Sequence, residues 1–129
     1  MIYEEIYKRI DELVGGIENF QNELVLTSKG FMDLHIERLT EDTISLTHYY
    51  KVNEDLVPDP DMEVIIHSKQ KIAEALSYQD AYRYDRVYYP DNKVDLKAKR
   101  SLNSFLLQWL KNLKAQGFGK TTKEVYDQD

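Results

Sequence analysis

Hydrophobic and polar positions follow two different periods along this chain. Ile2, Ile6, Ile10 and Leu13 recur at helical spacing and share one face, which predicts a helix over residues 2–14. Glu4–Lys8 and Glu5–Arg9 set an acid four residues before a base, a pairing that supports a helix surface by about 0.3 kcal/mol. Gly15-Gly16 then ends the helix, because glycine enters the left-handed cap conformation without a Cβ clash. Residues 17–30 show no clear period. Val25 and Leu26 are placed to open a short strand, and Lys29-Gly30 reads as a turn.

From residue 31 the period becomes two. Met32, Leu34 and Ile36 alternate with polar neighbours, then Ile44, Leu46, His48, Tyr50 and Val52, then Met62, Val64 and Ile66. Each run is the signature of a half-buried strand. Thr40-Glu41-Asp42 suits a hairpin between the first two, and residues 53–61, with Pro58 and Pro60, read as an acidic connection before the third. Lys71–Tyr78 alternates poorly and reads as a turn or one helical turn leading into strand. Residues 82–89 alternate again, with Tyr82, Tyr84, Arg86 and Tyr88 on one side, until Pro90.

The last element is the clearest. Asp95 is a good N-cap. Leu102, Phe105, Leu106, Trp109, Leu110 and Leu113 fall within about 140° of a helical wheel, a core-facing stripe, and Gly117 is placed as the C-terminal cap. The order of elements predicts an α+β fold: an antiparallel four- to five-stranded sheet with N-terminal and C-terminal helices packed on one face. Residues 1–118 form the expected domain, and 119–129, without periodicity, the expected flexible tail.

Composition narrows the chemistry. The chain has no cysteine, which excludes disulfides, thiolate catalysis and cysteine-based zinc sites. The N-terminal residues lack a signal-peptide layout and no apolar run is long enough to span a bilayer, so a cytoplasmic protein with no membrane role is expected. The net charge of −6 is unevenly placed: residues 1–63 carry 15 acids and 5 bases, residues 94–120 one acid and 6 bases. Such separation steers charged partners, although charge runs are more often solvated surface.

Four features invite a functional reading, each beside a structural one. His48 lies on the apolar side of its strand, where a histidine is more often a hydrogen-bonded core residue than a base. His35 and His67 would have to meet across strands to bind a metal. Residues 53–61 hold four carboxylates, with Glu63 following; Asp55, Asp59 and Asp61 are the candidate ligands for a hard cation, yet the spacing matches no EF-hand. Ten tyrosines are present, five of them between Tyr78 and Tyr89 beside Arg83 and Arg86. Tyr82, Tyr84, Arg86 and Tyr88 are the candidate partner-binding residues, since tyrosine and arginine are enriched in recognition surfaces. Lys97, Arg100, Lys111 and Lys114 form a basic ridge opposite the apolar stripe of the last helix and are candidates for nucleic-acid phosphates. No nucleophile elbow, phosphate-binding glycine loop or His-Glu-x-x-His motif occurs, so no catalytic residue and no cofactor is expected.

The words Thr43-Ile44-Ser45-Leu46-Thr47-His48-Tyr49-Tyr50, then Asn53, Asp55-Leu56 and Asp59-Pro60-Asp61-Met62-Glu63, resemble an uncharacterised bacterial family associated with plasmids, conjugative elements and phages. Ala75-Leu76-Ser77-Tyr78-Gln79, Leu102-Asn103, Phe105-Leu106 and Trp109-Leu110 resemble it too, and are similar to a second uncharacterised family from gamma-proteobacteria. The resemblance covers roughly residues 31–118 and implies no activity, cofactor or catalytic residue. The family pattern has glycine where this chain has Glu54, which makes the turn there a point to check. Three function classes follow: a small non-enzymatic interaction protein with an unidentified protein partner, in keeping with an accessory role on a mobile element; a nucleic-acid-binding or nucleic-acid-mimicking protein; and a metal-dependent enzyme using the acidic residues with His48.

Overall fold

The computed structural model describes residues 1–119 and the backbone of residues 123–125. Helix α1 spans Ile2–Val14 and buries Ile6, Tyr7, Ile10, Leu13 and Val14. Glu5 and Arg9 meet on its surface at 3.1 Å. Gly15 ends it at φ 75°, and the amides of Gly15 and Gly16 close back onto Glu12 and Asp11. Six strands follow in sequence: β1 (Glu23–Leu26), β2 (Leu34–Arg38), β3 (Thr43–Val52), β4 (Asp55–His67), β5 (Ile72–Gln79) and β6 (Tyr84–Arg86). Each pairs antiparallel with the next, so the sheet is a meander in chain order. A separate ribbon of β7 (Tyr88–Tyr89) and β8 (Lys93–Val94) leads into helix α2 (Leu96–Ala115). Of the segment expected as a tail, β9 (Lys123–Val125) runs antiparallel beside β1, and residues 120–122 and 126–129 lie outside the described residues.

Both helices pack on one face of the sheet. Leu34, Ile36, Ile44, Leu46, Met62, Val64 and Ile66 point toward them and meet Leu102, Leu106, Trp109, Leu110 and Leu113 of α2. Asp95 caps α2 as expected, its Oδ1 accepting the Ala98 amide at 2.9 Å. At the other end Gly117 takes φ 96°, and the amides of Gly117 and Phe118 return to Lys114 and Leu113, which closes the helix and turns Phe118 into the core. Phe105 departs from the expected stripe: it is 41% exposed at the margin, edge-on to Tyr78 at 5.3 Å. No helix among the described residues is long and apolar enough to cross a membrane.

Four expectations need correction. The sheet holds more than four or five strands: the short β1 holding Val25 and Leu26 is a full member, β5 is a strand along its whole length, and β9 adds beyond β1. Residues 53–61 are not a connection: Asn53 and Glu54 alone make the turn, with φ 52° and 76°, and β4 starts at Asp55. The prolines are tolerated because β5 ends at Gln79, opposite Asp61, so residues 55–60 pair only with β3 and have an open edge. On the other side β2 begins at Leu34, opposite His48. Residues 49–60 therefore form a two-stranded arm that projects beyond the sheet.

The third correction is β5, which is strand throughout. Ala75 pairs with Val64 and Ser77 with Glu63, leaving Leu76 as an extra residue. The bulge moves the inward set from Ala73 and Ala75 to Tyr78, which is why neither period fits. Last, residues 82–89 are not one strand. Tyr82 lies outside β6, and Val87, fully buried, separates β6 from β7. The Val87 amide donates to Leu76 and its carbonyl accepts from Asp95, so the chain leaves the sheet there to reach α2.

Candidate interaction surface

The face of the sheet away from the helices is polar. Across its middle runs a cross-strand row: Glu37 opposite Ser45, Ser45 opposite Glu63, Glu63 opposite Ser77, Ser77 opposite Arg86. Glu23 continues it beyond Glu37. The next row holds Val25, His35, Thr47, Asp61, Gln79 and Tyr84, so a buried valine stands at its β1 end. Ser45, Thr47 and Ser77 are buried by their neighbours, whereas Glu37 and Glu63 are exposed. Thr47 donates its hydroxyl to Asp61 at 3.0 Å, but burial outweighs this bond and raises the Asp61 pKa above the usual carboxylate value. Burial, with the charge of Asp61 second, also raises the Tyr49 phenol. Tyr49 stands edge-on to His35 at 5.1 Å.

At the β6 margin the tyrosines have different roles. Asp80 gathers the amides of Tyr82 and Arg83 at 2.8 and 3.0 Å and the Tyr78 hydroxyl at 2.7 Å. These bonds hold Asp80 below its ordinary pKa, and burial together with Asp80 pushes Tyr78 up to about 12. The resulting turn presents Tyr82 to solvent at 95% exposure, with Tyr84 at 56% beside it. Arg86 lies over the Tyr89 ring at 4.3 Å, and a shallow depression between Glu63, Ser77, Tyr84, Arg86 and Tyr88 opens on the polar face.

Tyr88 is a strut as much as a surface residue. Its hydroxyl donates to Glu74 at 2.5 Å and accepts from Lys99 at 3.1 Å. Glu74 also lies 3.7 Å from Lys99 and 3.5 Å from His67. Burial and the Glu74 bond raise the Tyr88 pKa, and the Tyr88 bond raises that of Lys99. This network ties the start of α2 to the sheet edge, and no local pattern in Glu74, His67 or Lys99 announces it. Asn103, fully buried on α2, is a second residue outside the expected set. Its Oδ1 accepts the Ala75 amide at 2.8 Å and its Nδ2 donates to the Lys99 carbonyl at 2.7 Å, so the helix satisfies the strand where β6 has ended.

The other candidates are dispersed. Asp61 is on the polar face, Asp59 acts electrostatically on Tyr78 and His48 toward the helix side, and Asp55 is exposed near the arm tip. The described residues contain no group of three or more His, Asp or Glu able to hold a metal ion. His35 lies opposite Thr47 and His67 opposite Ile72, at opposite ends of the sheet. His48 is a core residue. Its Nδ1 lies 3.0 Å from the Asp33 carbonyl, and its ring sits between Trp109 at 5.6 Å and Phe118 at 5.8 Å. Burial lowers its pKa. The basic ridge divides: Lys111 faces Glu5 at 4.0 Å and Lys114 faces Glu12 at 3.9 Å, while Lys97 and Arg100 are exposed near the start of α2.

Residues 5–119 match the family model "Domain of unknown function (DUF6908)". The chain belongs to the DUF6908 family. A search of the curated proteins and a search of the solved structures each found no match. Within this DUF6908 chain, Glu54 is the second residue of the arm's two-residue turn, at φ 76°, where glycine is the favoured occupant.

Proposed function

We propose that this DUF6908 protein is a small non-enzymatic interaction module whose docking surface is the polar sheet face and its tyrosine margin at β6. The observation that carries this reading is the asymmetry of the sheet. Two helices cover one face, and the other presents Glu37, Glu63, Tyr49, Tyr84 and Arg86 with no helix of the described residues over it. Tyrosine and arginine combine contact area with hydrogen bonding at little entropic cost, which suits recognition. An accessory role on a mobile element is compatible with such a module and is carried by the sequence resemblance alone.

The test is retention of a partner from lysate by the immobilised protein. Tyr84→Ala and Arg86→Ala should each weaken retention by about tenfold, equivalent to about 1.4 kcal/mol. Tyr88→Ala is a poor probe because it also removes the Glu74–Lys99 strut. Retention unchanged by both substitutions, with the fold intact, overturns the reading.

A further inference from the structure

The row crossing the polar face indicates what its partner carries. Glu37, Ser45, Glu63, Ser77 and Arg86 occupy five successive strands, so from β2 to β6 the row reads acid, gap, acid, gap, base, with Glu23 of β1 adjoining Glu37 at its acidic end. Strands lie about 4.8 Å apart, which puts Glu37 about 9.6 Å from Glu63 and Arg86 the same distance beyond, measured along the backbone. The two serines are buried and leave low ground between the charged side chains. The depression over Ser77 lies between Glu63 and Arg86. Arg86 is held against Tyr89, and Asp61, one rung along the strand from Glu63, adds negative charge beside the row.

Residues seven apart on a helix share a face and lie about 10.5 Å apart. A helix laid across the strands therefore meets this row once per heptad. We propose that the polar face docks an α-helical segment of another protein carrying two basic residues a heptad apart and an acidic residue one heptad further. This rests on the interaction reading above and adds the partner's chemistry and direction. A second copy of this chain answers the row less completely. Two such faces turned about an axis at Ser77 would oppose Glu63 and Arg86 but leave Glu37 and Asp61 without a counter-charge.

The experiment uses the full chain and two synthetic helical peptides of identical composition. One carries Lys, Lys and Glu at i, i+7 and i+14; in the other the same three residues point to different faces. Binding is followed by fluorescence anisotropy at physiological salt, where weak non-specific attraction is screened. The in-register peptide should bind about tenfold more tightly than the scrambled one. Glu63→Gln should reduce that advantage, and Arg86→Glu should reduce it further unless the peptide's Glu is changed to Lys. Glu4→Gln and Glu18→Gln remove the same charge from the helix side and should change nothing. Equal binding of the two peptides overturns the proposal, as does equal weakening by Glu4→Gln, or a dimer of this chain that excludes the peptide. If a lysate partner is lost with Tyr84→Ala but kept by Glu37→Gln and Glu63→Gln, the interaction reading stands and the heptad assignment falls.

Discussion

The two faces of this sheet are made by the same strands and differ in what lies over them. On the covered face Leu34, Ile36, Leu46, Met62 and Val64 are completely buried against α1 and α2. On the polar face the central positions are Ser45, Thr47 and Ser77, small residues flanked by longer charged and aromatic ones. Burial of an aliphatic side chain contributes about 1.5–3 kcal/mol, so the first face holds the molecule together. The polar face buries small residues and Val25 but has no comparable aliphatic layer, and it leaves Glu37, Glu63 and Tyr84 exposed. The arm at residues 49–60 is a third environment: it has β3 and β4 but neither β2 nor β5, and Val52 and Leu56 stay exposed on it.

The sharpest way to break this contrast is to change one residue on each side of the sheet. Leu106 has no exposed surface, and Leu106→Ala should lower the unfolding free energy by about 2–5 kcal/mol. Glu63→Gln, on the polar face, should change it by less than about 0.5 kcal/mol. Urea denaturation of the two variants checks this, and similar losses would remove the distinction between the faces.

A smaller effect of opposite sign is expected in the arm. Glu54 sits at φ 76°, a conformation that strains a residue with a Cβ. Glu54→Gly should stabilise the protein by about 0.5–1 kcal/mol, less whatever the freer glycine gains in the unfolded chain. An unchanged or lower denaturation midpoint would show that the turn is not held in this geometry.

The last prediction concerns His48, at the covered face below the arm. Burial lowers its folded pKa from 6.5, and the charge of His35 acts in the same direction, against the Asp33 carbonyl and the charges of Asp33 and Asp59. The unfolded chain then binds a proton at a higher pH than the folded one. The contribution from neutral His48 is complete above pH 6.5 and declines as the pH falls from there toward the folded pKa. Thermal unfolding from pH 8 to pH 5 should show this decline, and His48→Gln should flatten it. A difference between wild type and His48→Gln that stays constant through that range would mean that the ring is not buried as a neutral group.

Much of the fold is legible because it depends on local signals. The Ile2–Leu13 spacing, the glycines at 15 and 117, the Asp95 cap and the α2 stripe each act within a few residues, and apart from Phe105, which sits at the margin, they appear where the sequence places them. The strand alternation of Leu34–Ile36, Ile44–Leu46 and Met62–Ile66 is equally local. The segments that depart from the sequence expectation depend on neighbours that are distant in the chain. Pro58 and Pro60 look like loop residues until the end of β5 shows that their edge of the ribbon is open. Leu76 spoils the alternation of β5 until the pairing with β4 shows a bulge. Of the candidate residues, Tyr82, Tyr84 and Arg86 gather at one margin, while Asp55, Asp59 and Asp61 spread over the arm and both faces.

By itself, the order of residues determined the covered face of this protein: which side chains are aliphatic at periods of 3.6 and 2, and where each helix starts and stops. That much follows from the geometry of single elements. Only the tertiary structure decided which charges share a row and which tyrosine is braced by Glu74 and Lys99. Those facts depend on register between strands, and register is set by packing and turns that bring together residues far apart in the chain.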